Sequence, residues 1–104
     1  MTKNLEVKIH ITRAVLYLRK VAKENENLAV KSYKDFSTNP PTNIISIETK
    51  GEDKILKMYV STSGESIIIT SMNGTNSESV LVSFDGTMSL DKTLKRCLRK
   101  LFAL

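Results

Sequence analysis

Apolar positions along this chain follow two periods. At the start, Leu5, Val7, Ile9 and Ile11 alternate with Glu6, Lys8, His10 and Thr12. Period two with β-branched residues predicts a half-buried strand. From Thr12 or Arg13 to about Glu26 the period becomes helical. Ala14, Val15, Leu18, Val21 and Ala22 share one face, and Arg13, Arg19, Lys20 and Lys23 share the other. One long helix from the first residues competes with this division, because Val7 and Ile11 also extend the helical stripe. The helix has a possible extension through Leu28, Ala29 and Val30, weakened by Asn25 and Asn27. Residues 34–43, which contain Asn39-Pro40-Pro41, read as a loop, since two prolines cannot propagate a helix.

Four strand-like runs follow: Ile44–Lys50, Lys54–Ser61, Ser66–Met72 and Ser79–Phe84. Gly51-Glu52-Asp53, Ser63-Gly64-Glu65 and Asn73-Gly74 separate them, each offering a glycine where a turn needs positive φ. Asp85-Gly86 ends the last run. A final helix is predicted from Leu90 to Phe102, with Ser89 as N-cap and Asp91 in the first turn. The expected fold class is α+β, in the order β-α-β-β-β-β-α. One domain spans residues 1–104 as a two-layer sandwich, an antiparallel sheet of 4–5 strands with two helices on one face.

Alternation assigns the two faces of that sheet. Ile45, Ile47, Leu56, Met58, Val60, Ile67, Ile69, Val80, Val82 and Phe84 should meet the helices. Ile44, Ile55, Tyr59, Ile68 and Leu81 fall on the other face, among Ser46, Glu48, Lys57, Thr70 and Ser83. That second face is more apolar than a purely solvated one requires, so a protein partner or a second copy could cover it. Scattered surface apolar residues are the plainer explanation.

Hydrophobic residues make up 40% of the 104 positions, enough for one compact core. No run approaches the ~18 apolar residues of a membrane span. The N-terminal segment has no signal-like apolar stretch, and Cys97 has no second cysteine with which to pair. Both features lead to the expectation of an intracellular, cytoplasmic protein. Asn73-Gly74-Thr75 then reads as a turn rather than a glycosylation site. The net charge is +5 and is segregated. Residues 1–34 carry eight Lys/Arg against three acids, and residues 90–104 five against one. Residues 35–89 carry three Lys against seven acids. Such segregation suits a charge-guided encounter, although solvated surface can look the same.

Catalytic chemistry is thinly supplied. His10 is the one histidine, placed on the polar side of the first run. Cys97 lies with Leu94, Leu98 and Leu101 on the apolar face of the last helix, where a thiol behaves as a small hydrophobe. A Cys97–His10 pair would need tertiary proximity. One His and one Cys make no zinc site, Glu52-Asp53 reads as a solvated corner, and the glycines fall singly at turns. The expectation is no enzyme, no metal and no cofactor.

Binding potential is concentrated in the last helix. Lys92, Lys95, Arg96, Arg99 and Lys100 form one stripe, about 12 Å long at ~1.5 Å per residue. Arg13, Arg19, Lys20 and Lys23 repeat the theme. Helices on one sheet face could join these into a continuous basic area suited to phosphates. The segment Gly86-Thr87-Met88-Ser89-Leu90-Asp91-Lys92, leading into the basic helix, resembles the close of kinase-associated lipid-binding domains. The element order is similar to that of double-stranded-RNA-binding domains, whose lysine-rich helix-start motif this chain lacks. The first resemblance implies an anionic phospholipid partner and the second an RNA partner. The expected function is a non-enzymatic binding module engaging an anionic partner, nucleic acid by preference. Alternatives are a protein–protein interaction module (adaptor or inhibitor) using Ile44, Ile55, Tyr59, Ile68 and Leu81, or an anionic-membrane binder.

Overall fold

The computed structural model describes residues 2–39, 41–51, 54–60, 66–83 and 90–103, with backbone only for 2–7, 66 and 83. Helix α1 (Thr2–Glu24) precedes five strands, β1 (Leu28–Asp35), β2 (Thr42–Thr49), β3 (Lys54–Val60), β4 (Ser66–Asn73) and β5 (Asn76–Ser83). Helix α2 (Leu90–Phe102) follows. The strands form one antiparallel sheet in the order β1-β2-β3-β4-β5. The α+β class and the two-helix, one-sheet construction are as expected. The element order is α-β-β-β-β-β-α.

The N-terminal strand is therefore corrected to helix. No Gly or Pro precedes Pro40 to interrupt a helix. Residues two apart on a helix point about 160° away from each other, so Ile9 and Ile11 cannot share a face. Ile11 packs against the core with Ala14, Leu18 and Val21, whereas Ile9 is 43% exposed. The first strand is instead Leu28–Asp35, where the sequence pattern offers a possible helix extension through Val30 and a loop from residue 34. Asn25 ends α1: its Nδ2 donates to the Val21 carbonyl at 2.8 Å, and the Leu28 amide donates to the Asn25 carbonyl at 2.9 Å. Asp35 starts the turn into β2, its Oδ1 accepting from the Ser37 amide at 2.9 Å and the Ser37 hydroxyl at 2.6 Å.

Both helices lie on one sheet face. α1 covers β1 and β2, α2 covers β3 and β4, and the two helices touch each other. Ala14, Leu18 and Val21 from α1 and Leu90, Leu94, Leu98 and Leu101 from α2 join Ile45, Ile47, Leu56, Met58, Ile67, Ile69 and Val82 in one buried cluster. The inner-face assignment holds for these strands. Val80 is only half-buried and faces a groove between β5 and α2. Phe84, Ser89 and the 84–89 connection lie outside the described residues, as do Glu52-Asp53 and residues 61–65. Gly51 (φ 80°) and Gly74 (φ 63°) occupy the left-handed region at their turns.

Candidate functional site

The helix pair is joined at its solvent side by Tyr17 and Lys95. The Lys95 Nζ sits 5.3 Å from the Tyr17 ring centroid and 3.2 Å from Asp91 Oδ2 one turn earlier on α2. Residues three and four apart share a helix face, so this contact locates several others. Arg13 and Lys20 stand on the same side of α1 as Tyr17. Lys92 and Arg99 stand on the same side of α2 as Lys95. All four are exposed. The seam between the helices thus carries Arg13 and Lys20 on one lip and Lys92, Lys95 and Arg99 on the other.

The remaining predicted cations are placed elsewhere. Arg19 and Lys23 are exposed but turned about 160° and 120° around α1 from Tyr17 at ~100° per residue. Lys100 lies on the opposite flank of α2, where its Nζ meets Glu78 Oε2 of β5 at 2.8 Å. Arg96, one turn before Lys100, is exposed on that flank. Arg96 is four residues from Lys92 and three from Arg99, so the α2 cations run as one stripe from Lys95 at the seam to Lys100 beside β5. The sequence could not place the two ends of that stripe, because the Tyr17–Lys95 and Glu78–Lys100 contacts are tertiary.

The outer sheet face is organised by register. Tyr33 pairs with Ile44, Ile44 with Tyr59, Tyr59 with Ile68 and Ile68 with Leu81. One apolar residue from every strand therefore lines up in a row across the sheet. Ile44, between the two tyrosines, is buried, whereas Tyr33, Ile68 and Leu81 are exposed, Leu81 to 60%. The sequence pattern gives no sign of Tyr33, which lies between the possible helix extension ending at Val30 and the expected loop starting at residue 34. Ile55 lies outside this row, half-buried opposite Met72 and Glu48. Beside the row, Lys31 Nζ meets Glu48 Oε1 at 2.6 Å. The Glu48 carboxylate holds the Lys31 pKa above the ordinary lysine value.

Cys97 is corrected from the core to its margin. It is half-buried and lines a groove between α2 and β5. Burial pushes its thiol pKa up, against the pull of Arg96, a hydrogen bond with Ser71 and Lys100. His10 is not among the groups acting on Cys97 and is exposed on α1. The structure does not assemble the two into a pair. No described helix is long and apolar enough to cross a membrane. No family model, curated protein or solved structure matches the chain.

Proposed function

We propose that the chain is a non-enzymatic binding module that holds the phosphate backbone of a nucleic acid along the α1–α2 seam. The observation that carries this reading is the convergence of Arg13, Lys20, Lys92, Lys95 and Arg99 around the Tyr17–Lys95 contact. Asp91 meets Lys95 there at 3.2 Å. Cations on two adjacent helices can each take a phosphate and release its counterion.

The test is fluorescence anisotropy of labelled single-stranded RNA and duplex DNA across a salt series, with vesicles of anionic phospholipid as a second arm. Exchanging Arg13 and Arg99 for Gln should weaken binding and lower the salt slope by roughly one per lost phosphate contact. No binding to either nucleic acid at ~50 mM salt ends this reading. Binding to the vesicles alone transfers the seam to a membrane.

A second reading, a protein interface on the outer sheet face, is supported by the in-register row from Tyr33 to Leu81. Aromatic anchors commonly carry interface energy. Sedimentation of the unmodified chain and of Tyr33→Ser over a concentration series tests its self-association form.

A further inference from the structure

Strand β5 bounds the sheet, and among the described residues it pairs with β4 alone. Its turn fixes which backbone groups are unpaired. Gly74-Thr75 is a two-residue connection with Asn73 opposite Asn76. Only Gly74 of the two has positive φ, as a type II′ turn requires. In such a hairpin the closing pair exchanges both ladder hydrogen bonds, and bonded and non-bonded pairs then alternate. Glu78, Val80 and Val82 accordingly bond to β4. Ser77, Ser79 and Leu81 turn their N–H and C=O groups to the free edge. The 3.0 Å contact between the Thr70 and Ser79 hydroxyls fits this phase, since side chains approach most closely at non-bonded pairs.

Among the described residues this edge carries one charge, Glu78, which turns inward to Lys100. Natural sheets blunt their edges with Lys, Pro or bulges. The other edge strand, β1, carries Lys31, Lys34 and Asp35. β5 reads Asn-Ser-Glu-Ser-Val-Leu-Val-Ser, without Lys, Arg or Pro, and pairs with β4 over eight residues without a bulge. Beside it, the inner side of β5 opens into the groove under α2. Val80, Cys97 and Leu101 supply its apolar surface and Ser71 a hydroxyl, while Glu78 and Lys100 bridge across it. The flank of α2 over this groove carries two cations, Arg96 and Lys100, against one acid, Glu78, which Lys100 meets at 2.8 Å.

We propose that β5 takes up an extended segment of a partner protein as a sixth strand, with an apolar side chain set beside Val80 and acidic side chains at the flanking inward positions. Backbone pairing at Ser77, Ser79 and Leu81 supplies affinity, and the groove selects alternate side chains. Inward positions two apart on the added strand are about 6.6 Å apart, so acids on either side of the apolar residue lie within reach of the α2 flank. Charge decides against a second copy as occupant. Antiparallel pairing of two β5 strands would set two α2 flanks on one face about the twofold axis, with Arg96 and Lys100 facing their own copies. This surface is separate from the helix seam and stands independently of the nucleic-acid reading.

The probe is the capped peptide Thr-Glu-Val-Val-Thr-Glu-Thr, titrated into the whole isotopically labelled chain and followed by amide chemical shifts and hydrogen exchange. The Ser77, Ser79 and Leu81 amides should shift and gain protection, and β1 amides should not. A peptide with both Glu replaced by Lys should bind more weakly. N-methylation of the peptide amides that face β5 should abolish the effect, and N-methylation of the alternate amides should preserve it. Ser79→Pro removes an outward N–H without touching the ladder to β4, and should lose the peptide while keeping the folded spectrum. The N-methylated peptides make the same test on the unaltered protein if this variant does not fold. Shifts confined to the helices, equal binding of the lysine peptide, or β5 protection that grows with protein concentration in the absence of peptide would each overturn the proposal.

Discussion

Lys95 reaches from α2 to the face of Tyr17 on α1, 5.3 Å from the ring centroid. A half-exposed cation over an aromatic ring contributes about 0.5–1 kcal/mol. A double-mutant cycle of Tyr17→Leu with Lys95→Met, measured by urea unfolding, should return a coupling of that size. A coupling of zero would leave the helix pair held by its buried leucines alone.

Those leucines set the larger scale. Leu98 is 1% exposed within the core, and Leu98→Ala should cost about 2–5 kcal/mol in equilibrium unfolding. Leu16, on the outward side of α1, is 57% exposed, and Leu16→Ala should change stability by less than about 0.5 kcal/mol. Equal effects at the two positions would mean that α1 or α2 is rotated from the arrangement described.

Gly74 offers a purely conformational test. A Cβ added there meets nothing within 4 Å, so space is not limiting. Its φ of 63° is the difficulty. Gly74→Ala should destabilise the chain by about 1–2 kcal/mol, as expected for left-handed backbone, and Gly74→Asn by less. Thermal unfolding of the two variants checks the order.

The Cys97 thiol gives a pH dependence with a definite sign. Burial raises its pKa in the folded chain. The folded state therefore holds this proton more tightly than the unfolded state. The resulting stability is fully present below the unfolded thiol pKa and lost as pH rises through the folded one. Iodoacetamide modification should inflect at higher pH in the folded chain than in urea, and Cys97→Ala should lessen the alkaline loss of stability. Some alkaline loss should persist, because Lys31, raised by Glu48, titrates in the same direction. A folded inflection at or below the unfolded one would contradict the burial of the thiol.

Local pattern located most of these groups but not their partners. α2 was legible to the residue because Leu90, Leu94, Leu98 and Leu101 repeat at helical spacing against a basic face. Strands β2 to β4 were legible because short apolar, largely β-branched runs are bounded by turn residues around Gly51, Gly64 and Gly74. The N-terminal run failed because Leu5, Val7, Ile9 and Ile11 satisfy both periods, and the choice depends on which residues the sheet needs. β1 was hidden because its inward positions, Leu28, Val30, Ser32 and Lys34, turn polar halfway along. Its strand character comes from pairing with β2. The outer row could not be read without register: a shift of one residue would scatter Tyr33, Ile44, Tyr59, Ile68 and Leu81 over both faces.

Among the described residues every strand pairs only with its neighbours in sequence, and this has a kinetic consequence. Each step of sheet assembly closes a short loop, so little chain entropy opposes it, and the distant contacts are left to the docking of α1 against α2. Substitutions within the β3–β4 and β4–β5 hairpins should chiefly slow folding. Substitutions at the α1–α2 contact should chiefly speed unfolding. The lifetime of the folded chain would then be set by how long its two helices stay together, while the sheet sets how fast it returns.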